Sequence, residues 1–192
     1  GTVTIFIIIG LLISIFSLSS FASTETDSVP DFTVKDTTGA THTPETYSGK
    51  VLVIDIMSTD CSVCNDEMPE LVDTYEKAKE EYGDDVMFLS VSVGKDDTNS
   101  MLNGFQDQYN ADWPIGKNVE FISTFDAPFI PKMVIVAPNG DIAYTHTGHI
   151  KESDVLNAID DAHSGDYSKQ TISSSGASLF AIGALAAVFG AI

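Results

Sequence analysis

Residues 51–69 constrain this chain more than any other stretch. They read Val-Leu-Val-Ile-Asp-Ile-Met-Ser-Thr-Asp-Cys-Ser-Val-Cys-Asn-Asp-Glu-Met-Pro. The near-continuous apolar run over Val51–Ile56 predicts a central strand covered on both faces. After a short turn come Cys61 and Cys64, the only two cysteines present. Met68, Leu71, Val72, Tyr75, Ala78 and Tyr82 then recur at helical spacing, with Glu and Lys opposite them. Pro69 is expected to kink that helix one turn in, and Gly83 with Asp84 to end it. A sulfur at a helix start meets orphan N–H groups and the helix dipole, both of which favour a thiolate. A second sulfur one turn on can close a disulfide and release a bound substrate. A Cys-x-x-Cys pair also fits half a zinc site or coincidence, but its place in a strand–helix–strand pattern favours redox chemistry.

The rest of the middle segment continues that pattern. Phe32–Val34 reads as a short strand and Asp36–Gly39 as a turn. Val86–Val93 is the next apolar strand. Asp97–Tyr109 carries Met101, Leu102, Phe105 and Tyr109 on a helical period, and Asp112–Pro114 reads as a loop. Lys132–Ala137 and Asp141–Thr145 flank the turn residues Pro138-Asn-Gly140, a hairpin. Ser153 is placed to cap a last helix bearing Val155, Leu156, Ile159 and Ala162. This order implies an α/β fold: a central mixed sheet with parallel inner strands, an antiparallel hairpin and flanking helices.

Charge divides the chain. The first charged residue is Glu25 and the last is Lys169, so all 28 acids and nine bases lie between two uncharged flanks. An intensely acidic middle domain repels nucleic acid and anionic lipid headgroups, so no nucleic-acid partner is expected. Residues 1–23 hold an apolar run over 3–16 and then small and Ser-rich positions, which fits a signal peptide or an N-terminal membrane anchor. Residues 176–192 are apolar and small, as expected of a C-terminal transmembrane segment or a processed anchor. The organisation expected is a linker at 24–28, a folded domain at 29–163 and a Ser-rich linker at 164–175. Neither flank carries basic residues, and the sequence is expected to be a piece of a longer one. The flanks imply a domain outside the cytoplasm, tethered to membrane lipid.

Over 29–162 the chain resembles the thioredoxin-like, membrane-tethered thiol:disulfide oxidoreductases of the TlpA type. Val29-Pro-Asp-Phe32 with Gly39 is similar to that family's opening strand and turn. Gly49–Asp55 is similar to its central strand. Cys61-Ser-Val-Cys64, Glu67 and Pro69 match its active site, an acidic residue and a helix proline. Pro138–Ile142 matches its late hairpin, and Gly148 the glycine after it. The resemblance implies a redox-active disulfide, with Cys61 as attacking thiolate and Cys64 as resolving thiol. It implies that Asp55 takes the resolving thiol's proton, and a buried carboxylate with a raised pKa suits that work. It also implies a cis-proline at Pro131, with the backbone at Ile130 free to pair with an extended substrate.

Two departures from the family stand out. Met57 and Asp60 occupy places where it has aromatic residues. Asp60, Asp66 and Glu67 are acids near Cys61, and Ser62 and Val63 bring no positive charge, so a moderate thiolate pKa and a reducing pair are expected. No flavin or nicotinamide fingerprint occurs, so no cofactor is expected, and electrons must come from a membrane reductase or another thiol protein. The partners expected are exported client proteins with disulfides. One alternative is a copper- or zinc-binding metallochaperone, with His146 and His149 adding nitrogens to the two sulfurs, although no metal is the favoured reading. Another is a peroxiredoxin-like enzyme, against which Ile54 and Ser58 stand where that family keeps Pro and Thr.

Overall fold

The computed structural model describes residues 27–167. The expected signal peptide or anchor at 1–23 and the apolar segment at 176–192 lie outside the described residues. Among the described residues, no helix is long and apolar enough to cross a membrane.

Seven strands form one mixed sheet: β1 (Val34–Asp36), β2 (Thr41–His42), β3 (Val51–Met57), β4 (Val86–Ser92), β5 (Ile115–Lys117), β6 (Lys132–Val136) and β7 (Ile142–Thr147). Their spatial order is β2-β1-β5-β4-β3-β6-β7. The pairs β3–β4 and β4–β5 are parallel, and all other pairs are antiparallel. The helices are α1 (Ser62–Tyr82), α2 (Asn99–Tyr109), α3 (Phe121–Thr124) and α4 (Glu152–Ser164). The expected α/β architecture is therefore present, with β3 buried along its whole length.

Each face of β3 meets its own core. Val51, Val53 and Met57 pack with Cys64, Met68 and Leu71 of α1 and with Val155 and Ile159 of α4. Leu52, Ile54 and Ile56 pack on the other face with Phe32, Leu89, Val91, Phe121 and Phe125. Burying an Ile or Leu as fully as Ile54 or Leu89 is worth about 1.5–3 kcal/mol each. Exposed ion pairs such as Lys77–Glu152 are screened by water and add little beside that. The sheet interior, not the charged surface, holds the domain together.

Several details differ from the sequence reading. β2, β5 and α3 were not expected, because two to four residues are too short to show a period. The strand expected at Phe32–Val34 begins at Val34 instead, where β1 pairs with β2 and β5. Ser153 does not cap the last helix. That helix starts at Glu152 after Lys151, without a side-chain cap of its own. Glu70 on α1 accepts from the Glu152 N–H at 3.2 Å instead, so a neighbouring helix satisfies one orphan donor. Pro69 lies inside α1, which ends, as expected, at Gly83, whose φ is +60°.

Gly116 explains how β5 is accommodated. A Cβ there would lie 2.6 Å from the Lys35 carbonyl oxygen and closer still to Val34. Only a bare backbone lets β1 close on β5. Gly116→Ala is expected to destabilise the domain by about 1–3 kcal/mol, the usual cost of overpacking. Urea unfolding of the two proteins checks this, and equal midpoints would refute it.

Both described ends of the domain meet at one place. The Asp27 carbonyl accepts from Ile142 N and Val29 N donates to the Gly140 carbonyl, each at 2.8 Å. Tyr167 donates its hydroxyl to Asn139 Oδ1 at 2.9 Å. Antiparallel pairing of Leu52 with Val136 and of Ile56 with Lys132 puts this 138–140 hairpin at the start of β3. Cys61 follows the end of β3, at the opposite pole of the sheet.

Candidate active site

Cys61 is the N-cap residue of α1, and its sulfur accepts from the Cys64 N–H at 3.2 Å. The two sulfurs are joined in a disulfide with Cα atoms 5.3 Å apart. The partners are unequal in access: Cys61 is half-buried, whereas Cys64 is 3% exposed and packs into the core with Met68. This asymmetry follows from the helix. The N-cap position projects at the end of α1, and the residue three later turns its side chain toward the sheet.

The Ile130–Pro131 peptide bond is cis, as the resemblance implied. The Ile130 carbonyl oxygen lies 3.9 Å from Cys61 Sγ. Lys132 holds the preceding loop by donating to the Phe125 and Asp126 carbonyls at 2.6 and 2.7 Å. The Ile130 backbone therefore sits directly beside the half-exposed sulfur.

Asp55 does not face solvent. It is 4% exposed and accepts from Ser90 Oγ at 2.9 Å, and Ser90 in turn accepts from Trp113 Nε1 at 2.9 Å. Alternation along β3 puts Asp55 on the face of Val53 and Met57, which is the face of Cys64. Desolvation pushes its carboxyl up to about 6, against the smaller opposing effect of the Ser90 hydrogen bond.

Glu67 departs from the sequence reading. It is 3% exposed and accepts from the Ile150 N–H at 3.0 Å. Burial, and then the Asp55 charge, push its carboxyl up to about 8. A carboxyl raised in this way is mostly protonated near neutral pH and adds little to the repulsion of a thiolate at Cys61. The charge repulsion expected there falls to Asp60 and Asp66, both exposed.

His146 and His149 make their contacts with each other and with Glu70. His146 is on β7, and its Nε2 approaches the His149 carbonyl at 3.2 Å. His149 is exposed, 3.6 Å from Glu70. Among the described residues, no cluster of three His, Cys, Asp or Glu side chains is placed to hold a metal.

Sequence reasoning missed two polar groups beside the disulfide. Asn65 Nδ2 donates to the Thr59 and Cys61 carbonyls at 3.1 and 2.7 Å, and Tyr109 donates its hydroxyl to Asn65 Oδ1 at 2.8 Å. Asp97 gathers Ser58, Thr59 and Ser92. The clue available was the pair Ser90 and Ser92 inside an apolar strand, because each serves one buried carboxylate.

The Redoxin family profile matches residues 24–159. The thioredoxin-like protein YneN of Bacillus subtilis is 24% identical over 138 residues, covering 71% of this chain and 79% of its own length. The thiol-disulfide oxidoreductase ResA of Geobacillus kaustophilus is 24% identical over 128 residues, covering 66% of this chain and 71% of its own. Among solved structures, a thioredoxin-family thiol:disulfide interchange protein from Chlorobium tepidum superposes with a TM-score of 0.63 at 18% identity. The alignment covers 73% of this chain and 99% of that one. At that identity the superposition establishes the thioredoxin-like fold, not the chemistry.

Proposed function

Because the chain belongs to the Redoxin family and is a thioredoxin-like thiol:disulfide oxidoreductase, we propose that Cys61 and Cys64 carry its chemistry by reducing disulfides of exported proteins. The unequal access of the two sulfurs carries this reading: one can meet a client and the other can only meet its partner. In the reduced domain the Cys61 thiolate attacks one sulfur of a client disulfide. The client S–S bond breaks, a Cys61–client disulfide forms, and the departing client thiolate takes a proton from water. Cys64 then gives up its proton and attacks Cys61 Sγ. The mixed disulfide breaks, the Cys61–Cys64 bond closes, and the second client sulfur leaves as a thiolate that takes a proton from water. Two electrons have passed to the client, and an external dithiol, on a membrane reductase or another thiol protein, must restore the pair.

Asp55 is the proposed acceptor of the Cys64 proton. Its burial on the Cys64 face, with a carboxyl near 6, supports this assignment. The Ile130–Pro131 backbone is the proposed docking strand for the client, supported by the 3.9 Å approach of the Ile130 carbonyl to Cys61. Phe129, 74% exposed beside it, and Val63, 42% exposed between the cysteines, offer the client apolar surface. The reducing direction is supported by Ser62 and Val63, which bring no cation to stabilise a strongly acidic thiol.

The same reading puts the domain on the extracytoplasmic face, tethered to membrane lipid through 1–23 and 176–192. Their apolar, uncharged composition supports it. So does the exit of both described ends at the hairpin pole, which leaves Cys61 facing away from a tether.

Reduction of insulin by dithiothreitol tests the chemistry. The protein is expected to speed precipitation of the insulin B chain, and Cys61→Ser to return the rate to that of dithiothreitol alone. A Cys61→Ser protein as active as the parent would sink the assignment.

A further inference from the structure

Asp97 follows β4, 36 residues after Cys61 in the chain, yet it is built into the turn that presents Cys61. It is 5% exposed. Its carboxylate accepts from the Thr59 N–H at 3.1 Å and from the Thr59 and Ser92 hydroxyls, with Ser58 Oγ 3.4 Å away. Burial pushes this carboxyl up, but the hydrogen bonds from Ser92, Thr59 and Ser58 together outweigh that and hold it below its ordinary range. Gly94 makes the approach possible, because a Cβ there would lie 2.6 Å from Asp97 Oδ2 and closer to Ser58 Oγ. Lys117 ties the Asp97 carbonyl to β5 at 2.7 Å.

Thr59 is therefore gripped at both ends. Its N–H goes to Asp97, and its carbonyl accepts from Asn65, which also holds the Cys61 carbonyl. The Cys61 N–H closes the turn onto the Ser58 carbonyl at 3.1 Å. A turn fixed this way leaves its last residue little freedom to shift. Displacing the attacking atom by about 1 Å can cost on the order of a hundredfold in rate.

We propose that Asp97 is the positioning residue of the disulfide turn: by fixing Thr59 it sets where the Cys61 sulfur stands against the Ile130 carbonyl and the first turn of α1. This rests on Cys61 being the attacking sulfur. Asp97 does not touch the client. It acts through Thr59, and its carboxylate is matched to several donors at once. An amide cannot replace it, since its NH₂ would face a donor.

Two variants separate position from charge. Asp97→Asn removes the charge and part of the grip. Thr59→Val removes one hydrogen bond and leaves the charge in place. Asp55, Asp60, Asp66, Glu67, Lys95, Asp96, Tyr109 and Lys117, ionisable groups on the elements that hold the turn, remain in both. Insulin reduction is measured as kcat and KM. The pH dependence of Cys61 alkylation is measured on the Cys64→Ser background, with thermal unfolding as the fold control. Both variants are expected to stay folded at the assay temperature and to lose kcat by on the order of tenfold with KM little changed. Both are also expected to move the alkylation midpoint away from the parent's.

If both folded variants match the parent in kcat and alkylation and lose only stability, Asp97 is structural and the proposal falls. If Asp97→Asn changes both readouts and Thr59→Val neither, the effect is charge alone and positioning is refuted. Should Asp97→Asn fail to fold, Thr59→Val decides by the same two readouts. A parent protein that does not reduce insulin refutes the reading of Cys61 itself, whereas an active parent matched by both variants refutes only the role of Asp97.

Discussion

Replacing Cys64 by Ser is expected to convert the domain from a catalyst into a trap for its clients. In the parent, the mixed disulfide on Cys61 is short-lived because Cys64 lies beside it, with Cα atoms 5.3 Å apart. Such an intramolecular thiol acts at an effective concentration on the order of 10⁵ M or more when well oriented. A serine hydroxyl cannot displace a sulfur. No other cysteine exists in the 192 residues to take over, so the adduct must wait for an outside thiol. Serine is also close to cysteine in size, and Cys64 sits in a packed core where a large change of volume would blur the result. Non-reducing gels of Cys64→Ser incubated with a disulfide-bearing protein are expected to show a large fraction of one-to-one adduct, against a trace for the parent. Dithiothreitol should release it, and adding Cys61→Ser should abolish it. If Cys64→Ser formed no thiol-sensitive adduct, or if the adduct survived Cys61→Ser, the assignment of the two roles would be wrong. The same trap applied to exported proteins identifies the clients by mass.

Why the two cysteines were legible in the sequence, and their surroundings only partly so, has a physical cause. β3 and β4 declare themselves as near-continuous apolar runs, and α1 and α2 because each buries a face long enough to impose a helical period. The hairpin of β6 and β7 declares itself through Pro138-Asn-Gly140. β5 does not, because three residues around Gly116 show no alternation, and it is a strand only because β1 and β4 lie on either side of it. The site divides in the same way. Cys61 and Cys64 lie within one strand–turn–helix, so a local reading reaches both, whereas Asp55 and Pro131 were reached only through the family resemblance. The grip of Asp97 on Thr59 spans 38 residues, and that of Glu67 on Ile150 spans 83. No local pattern encodes contacts of that range. The charge state of Glu67 depends on its burial against Ile150 and on the neighbouring Asp55, neither of which the residues around Cys61 reveal.

That buried pair of carboxyls makes a strong prediction about stability. Asp55 and Glu67 are pushed up to about 6 and about 8, chiefly by loss of water. In the unfolded chain both should titrate near their ordinary values, about 3.9 and 4.3. Between those values and the folded ones, the native state holds more protons than the unfolded state. Stability must then fall as pH rises through that window, and it levels off only above about 8. The direction is opposite to that of a salt-bridged acid, whose contribution is lost on acidification. Glu67→Gln keeps the size of the side chain and an oxygen to accept from Ile150, but cannot ionise. It is expected to flatten the upper part of the fall, leaving the part due to Asp55, and to stabilise the domain at pH 9 by on the order of a few kcal/mol. Urea unfolding of both proteins at pH 5, 7 and 9, with equal m-values, measures the slope. Identical pH slopes would mean that Glu67 is charged in the fold, and the repulsion of a Cys61 thiolate by Glu67 would have to be reinstated. If the slope flattens as expected, then between about pH 6 and 8 the core beside Cys64 holds one charged and one neutral carboxyl. That is the range in which Asp55 can accept the Cys64 proton while Glu67 adds no second negative charge to oppose the thiolate left behind.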